Sequence, residues 1–301
     1  MERATRWRAP DAAEQLAAIG PTAGLPPSLR RALEPGDSFA PIPTPGPSDW
    51  LANHPEPGQT FEQFVGSRPN RPDSRRNRLY LQPIGDFGAT GPRPEELVRF
   101  ATAFFSLDVI ALQPIDIRRE HIRNRRNPAS IQTQLLTADL LDLLRKHLPS
   151  DGFALLGITM TDLYPDPKWN FVFGQASLRD GVGVYSFARY SPAFYGGGSV
   201  PDPHQLVLRR SCKVLAHEAC HMFGIEHCIW YRCLMNGSNH LEESDARPLH
   251  LCPVDLRKLQ WSTGLDVASR YRHLLEFDRN AQFSDEVNWF RRRLEFIQNG
   301  R

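Results

Sequence analysis

Residues 217 to 227 read His-Glu-Ala-Cys-His-Met-Phe-Gly-Ile-Glu-His. This stretch gathers three imidazoles and a carboxylate at spacings suited to a divalent metal and a water that the metal activates. His217 and His221 are four residues apart, so a helix places them on one face, one turn apart. Glu218 stands about 100° around such a helix from His217, better placed for the metal's water than for the metal. Gly224 comes three residues after His221, where a helix can end in the left-handed conformation that glycine adopts at least cost. The chain then turns back and can deliver His227. Three nitrogen ligands leave a tetrahedral zinc one open position, the arrangement of a catalytic site rather than a closed structural one. Water held there titrates near about pH 7, and Glu218 is the base that takes its proton during attack on a peptide carbonyl. The plain alternative is a set of surface histidines bonded to water or carboxylates; so many fixed positions argue against it.

All five cysteines lie between Cys212 and Cys252, around the histidines. That clustering is unlike a disulfide framework and points to metal binding in a reducing compartment. Cys228 and Cys233, followed by the Cys252-Pro-Val-Asp255 run, come near the spacing of a structural zinc site. The alternative is buried reduced cysteines that pack as small hydrophobes. Cys220, next to His221, is expected to pack away from the metal. His204, His240 and His250 are expected at the surface or behind the metal ligands.

The long histidine motif with a later methionine is the metzincin signature, so Met235 is expected to form the Met-turn. From His217 to Asn239, within a likeness that covers about residues 45 to 275, the chain resembles the archaemetzincins, which carry H-E-x-x-H-x-x-G-x-x-H-C-x4-C-x-M-x-G-S-N and then an acidic residue, P-L-x-L and C-P-x-C. Asp162-Leu163-Tyr164-Pro165, Trp169 to Ala176 and Phe187-Ala188-Arg189-Tyr190 extend the likeness upstream. Pro47-Ser48-Asp49-Trp50 and Phe61-Glu62-Gln63-Phe64 resemble the eukaryotic-type members. The resemblance implies a zinc peptidase with one catalytic and one structural zinc. Carried over by position, it makes His217, His221 and His227 the catalytic ligands and Glu218 the base. Cys228, Cys233, Cys252 and the residue at 255 become the structural ligands. The family has a fourth cysteine there and this chain has Asp255. A three-thiolate, one-carboxylate site and a weaker site closed by water or His250 both remain open.

The 301 residues are 41% hydrophobic and 23% charged, with a formal charge of +2. This fits a globular chain with room for one large domain or two modest ones. The charge is too small for a dedicated nucleic-acid binder, and no apolar run approaches a membrane span. The N-terminus lacks the apolar core of a secretory signal. The expected protein is intracellular and cytoplasmic, a monomer, with a peptide or protein substrate and no nucleic-acid or membrane partner.

The elements that must position these groups follow from periodicity. A short helix is expected near Ala12 to Ile19 within an otherwise extended proline-rich start. Strands are expected over Leu79–Ile84, Val109–Ile117, Phe153–Thr159, Trp169–Gly174 and Val182–Ala188. Helices are expected from Pro94 to Leu107, Ile131 to Leu148 and His204 to Met222, and throughout the region after Asp266. Arg118 to Asn127 reads as a basic solvated loop, and Gly196–Gly198 as a flexible break. Trp169–Gln175 is the edge along which an extended substrate would pair, by analogy with metzincins. Tyr185 and Tyr190 are candidates to hold an oxyanion.

The fold class is α/β (α+β): a metzincin-like twisted mixed β-sheet with packed helices, an active-site helix, a Met-turn and a helical C-terminal part. The organisation is a proline-rich extension over 1–60, a metzincin-type catalytic domain over 61–275 and a C-terminal helical segment over 276–301. The alternative to an enzyme is a non-catalytic scaffold whose zinc ions hold a binding surface; a retained Glu218 and an open three-histidine site favour the enzyme.

Overall fold

Asp11 starts the first helix. Its carboxylate accepts from the Glu14 backbone N–H, and Glu14 reaches back to the Asp11 N–H, satisfying two donors that a helix start leaves open. Helix α1 (Ala12–Ile19) therefore forms where periodicity places it. In this computed structural model, residues 7–197 and 200–299 are described. Residues 1–6, Gly198 of the expected flexible break, Ser199, Gly300 and Arg301 lie outside them. The proline-rich start holds three further helices: α2 (Pro27–Leu33), α3 (Trp50–Asn53) and α4 (Phe61–Gly66). Thr60 and Gln63 cap α4 by the same reciprocal device.

The chain divides into two compact units, one of residues 70–222 and the other of 1–69 with 223–301. The first contains β1 (Arg78–Ile84), α5 (Pro94–Phe105), β2 (Asp108–Ala111), β3 (Asn124–Arg126), β4 (Thr133–Leu136) and α6 (Thr137–His147). It continues with β5 (Gly152–Thr159), β6 (Asp162–Tyr164), β7 (Gly174–Ser177), β8 (Val182–Ser186) and α7 (Pro203–Met222). Its main sheet has the order β2-β1-β5-β8-β7; β7 alone runs antiparallel. Every residue of β5 is buried, as a central parallel strand covered on both faces must be. Leu140, Leu141 and Leu144 of α6 pack with Leu155, Val182 and Val184 in a buried cluster. A second sheet has the order β3-β4-β6.

Several expectations are corrected: the start expected to be extended beyond its first helix holds α2 and α3, and the stretch expected as a loop from Arg118 to Asn127 contains strand β3. The helix expected over Ile131–Leu148 begins only at Thr137; Leu135 and Leu136 belong to strand β4, which runs into α6 without a loop. The second strand stops at Ala111, and only Ile115 returns as an isolated bridge to Ile84. Trp169–Phe173 is not a sheet strand apart from one bridge, Val172 to Leu163; the edge strand β7 starts at Gly174. The 167–170 stretch is instead held by Arg125, whose Nη1 donates to the Pro167 carbonyl and Nη2 to the Asn170 carbonyl, each at 3.0 Å. The basic run is thus engaged locally: Arg123 pairs with Asp139 and Arg118 with Asp116.

The second unit adds α8 (Leu241–Ala246), α9 (Pro253–Thr263), α10 (Val267–Asn280) and α11 (Ser284–Asn299) to the N-terminal helices. Here α1, α2 and α4 contact α9, and α2 also contacts α10 and α11. Buried arginines bind the N-terminal backbone: Arg257 donates to the Ile19 and Pro21 carbonyls, and Arg293 to those of Ala32 and Glu34. Trp289 Nε1 donates to the Ser38 carbonyl at 2.9 Å. The extension is therefore built into this unit. Among the described residues no helix is long and apolar enough to cross a membrane.

Candidate metal centres

Helix α7 runs from Pro203 to Met222 with no internal proline or glycine. Buried Val207, Leu208, Leu215, Ala216 and Ala219 fix its orientation. His217 and His221 lie near its C-terminal end, with Nε2 atoms 3.2 Å apart and ring planes at 90°. Two imidazole nitrogens at 2.0–2.1 Å from one tetrahedral zinc stand about 3.3 Å apart. The pair thus has the separation and donor type that a shared zinc requires. Glu218 is half-buried beside them. Tyr185 of β8 is buried, its hydroxyl 4.0 Å from Met222 Sδ. Burial, and then the charge of Glu218, push its phenol well above the usual range, so Tyr185 keeps its proton at neutral pH.

In the other unit, Gly224 has φ +78°, the left-handed residue its spacing implies. A Cβ there would also lie 2.9 Å from Pro69 Cβ. His227 follows, half-buried, with Nδ1 at 2.8 Å from Glu56 Oε1. Trp50 Nε1 donates to the same oxygen at 2.9 Å, and the Trp50 ring meets His227 edge-on at 5.0 Å. Burial raises the Glu56 carboxyl, but the His227 and Trp50 hydrogen bonds outweigh it and leave it below its ordinary value. No motif announces the contact of Glu56 with His227: the two stand 171 positions apart. The one available signal is the place of Glu56 between the two N-terminal stretches that resemble the family.

The cysteines form a second, fully buried group. Cys228 Sγ lies 3.5 Å from Cys252 Sγ, and Asp255 Oδ2 lies 3.2 Å from Cys233 Sγ and 3.5 Å from Cys252 Sγ. Cys228, Cys233, Cys252 and Asp255 offer donor atoms that all fall within 4.8 Å of one another. Sulfur at 2.3 Å and carboxylate oxygen at 2.0–2.2 Å from a tetrahedral zinc would be separated by about 3.5–3.8 Å, so the four donors need only small shifts to close on one ion. Asp255 is the fourth donor of this group. His250 is buried elsewhere, its ring stacked on Trp289 at 3.7 Å. Burial first, then the charge of Cys228, push the Asp255 carboxyl up to about 7 against the pull of Lys258.

The remaining sequence candidates have plainer places. Met235 is buried, and its carbonyl accepts from the Cys228 N–H at 2.8 Å, closing the cysteine loop. Cys220 is buried. His204 sits 3.2 Å from Glu96. Asp49, His240 and Glu243 converge like metal ligands, but their donors and acceptors are committed to protein. His240 Nε2 is 3.0 Å from Asp49 and its Nδ1 accepts from the Glu243 N–H. Glu243 accepts from the Trp50 and Asn239 N–H groups. This group clasps the residue 48–50 turn to α8.

The family model described as Peptidase family M54 matches residues 130–261. Archaemetzincin-2 of Macaca fascicularis is 42% identical over 279 residues, spanning 83% of this chain and 77% of that protein. The chain belongs to the archaemetzincin family. Archaemetzincin-2 of Homo sapiens is 41% identical over the same length. Of the solved structures, archaemetzincin (AmzA) from Archaeoglobus fulgidus, complexed with malonate, aligns with a TM-score of 0.44 and 26% identity over 60% of this chain and 99% of that one. As an archaemetzincin, the chain is a metallopeptidase, and its substrates are peptides or proteins.

Proposed function

We propose that this archaemetzincin hydrolyses peptide bonds with a zinc ion held by His217, His221 and His227, and that Glu218 is its general base. The observation that carries the reading is the 3.2 Å approach of the His217 and His221 Nε2 atoms, the separation set by a shared tetrahedral zinc. His227 follows His221 by six residues, and with its Nδ1 engaged by Glu56, Nε2 is the ring nitrogen that would serve as the ligand. A bound zinc supplies a Lewis acid and a water acidic enough to ionise near neutrality. Glu218 takes the proton of the attacking water and returns it to the departing amine. Cys228, Cys233, Cys252 and Asp255 hold a second, structural zinc; four protein donors leave no position for water.

The test is a peptide-library digest of the wild type beside Glu218→Ala, with zinc counted in both. Glu218→Ala is expected to keep its zinc and lose about two to four orders of magnitude in turnover. Unchanged cleavage by the variant removes Glu218 from the role. A wild type that carries zinc and cleaves nothing in the library supports the scaffold instead.

A further inference from the structure

We infer that Glu56 is the positioning residue of His227: it fixes the ring so that Nε2 faces the metal. This rests on the reading of His227 as a zinc ligand. An imidazole in which Nδ1–H donates to a carboxylate has its tautomer and its rotation set together, and the carboxylate makes the far nitrogen a better donor. Glu56 Oε1 stands 2.8 Å from that Nδ1.

Glu56 is itself held in place. Trp50 Nε1 donates to its Oε1, and the Trp50 ring packs on both His54 and His227. Just downstream, Gly58 lies against the side chain of Ile229; a Cβ there would come within 2.5 Å of Ile229 Cγ1. Gln59 grips both sides of the turn that leads to His227. Its Nε2 donates to the Gly224 carbonyl at 3.1 Å and its Oε1 accepts from the Glu226 N–H at 3.3 Å. At the other end, Trp50 fills the space where a Cβ on Gly237 would stand, 2.4 Å from Trp50 Cδ1. Residues 50–59 thus form a strap along the 224–237 loop, and Glu56 is the strap's one carboxylate turned onto a candidate ligand. A strap with a purely structural role would need no acceptor for an imidazole.

The experiment measures zinc per chain under graded chelator competition for wild type, Glu56→Ala, Glu56→Gln and His227→Ala. Glu56→Ala is expected to release one zinc at about 10- to 100-fold lower chelator strength while the second stays bound. Glu56→Gln, whose amide oxygen still accepts from Nδ1–H, is expected to recover most of that loss. Glu56→Ala that retains zinc like the wild type, while His227→Ala loses one ion, overturns the role of Glu56 alone. Full zinc retention by His227→Ala overturns the ligand reading and this inference with it. Equal loss of both ions from the alanine and glutamine variants would mean that the strap folds the loop rather than aims the ring, and would also overturn it.

Discussion

The ammonium of Lys258 sits 2.9 Å from Oδ1 of Asp255, and neither side chain is exposed. The two are three residues apart on α9, so the helix itself brings them together. The other Asp255 oxygen, Oδ2, faces the sulfurs of Cys233 and Cys252. One carboxylate therefore bridges a fixed cation and the thiol cluster. Lys258→Met keeps the volume and removes the charge. It is expected to lower stability by about 3–5 kcal/mol, because it leaves a buried carboxylate unpaired. Urea unfolding of the chelator-stripped proteins, in which no metal pairs with the carboxylate, measures this, and a loss under about 1 kcal/mol would show the pair to be dispensable.

Asp255→Cys replaces the oxygen donor by a fourth sulfur. The variant is expected to keep the second metal and to hold it more tightly, since structural sites favour thiolates. Cobalt-substituted protein reports the change directly: thiolate-to-metal absorption should grow relative to wild type, whereas Asp255→Ala should lose the ion. Identical spectra for wild type and Asp255→Cys would place the residue outside the metal's reach.

His221→Ala leaves His217 without its helix partner. Metal analysis is expected to find one zinc fewer per chain, with the cysteine-bound ion retained. An undiminished count contradicts the shared site on α7.

Glu96 gives a pH signature independent of both candidate metal sites. Burial raises its carboxyl, but hydrogen bonds from Arg93, on side chain and backbone, and from His204 outweigh this and hold it at about 2, against an ordinary 4.5. A carboxyl depressed in the folded state adds stability above its unfolded value, and that stability is lost as pH falls through the folded one. The window is therefore from about 4.5 down to about 2. Arg93 is largely exposed, so solvent screening limits the contribution to about 1–2 kcal/mol. In that window the wild type should lose more stability than Glu96→Gln; parallel pH profiles would remove the effect.

Local pattern made much of this legible, and its failures are local too. The five positions from His217 to His227 depend on one helix and one turn, so their spacing alone carries chemistry. The same holds for α1, whose cap lies in sequence, and for β5, whose apolar run admits little else. Leu135 and Leu136 misled because β4 passes directly into α6, so the apolar residues of two elements merge into one stripe. Trp169 to Phe173 alternates like a strand, yet the Asn170 carbonyl is taken by the Arg125 and Gln134 side chains, and pairing with β6 is limited to the isolated bridge of Val172 to Leu163. Glu56 was out of reach for a different reason: its partner is distant in the chain, and nothing in a lone glutamate between prolines names His227.

The buried guanidiniums of Arg257 and Arg293 bear on how the protein can be trimmed. Their acceptors are carbonyls of residues 19–35. Cutting away the first sixty residues would strand two cations inside an apolar interior, where each would have to find water or expose itself. A version that keeps residues 61–299 but lacks the first sixty should therefore come out insoluble, whatever the integrity of its metal-binding residues.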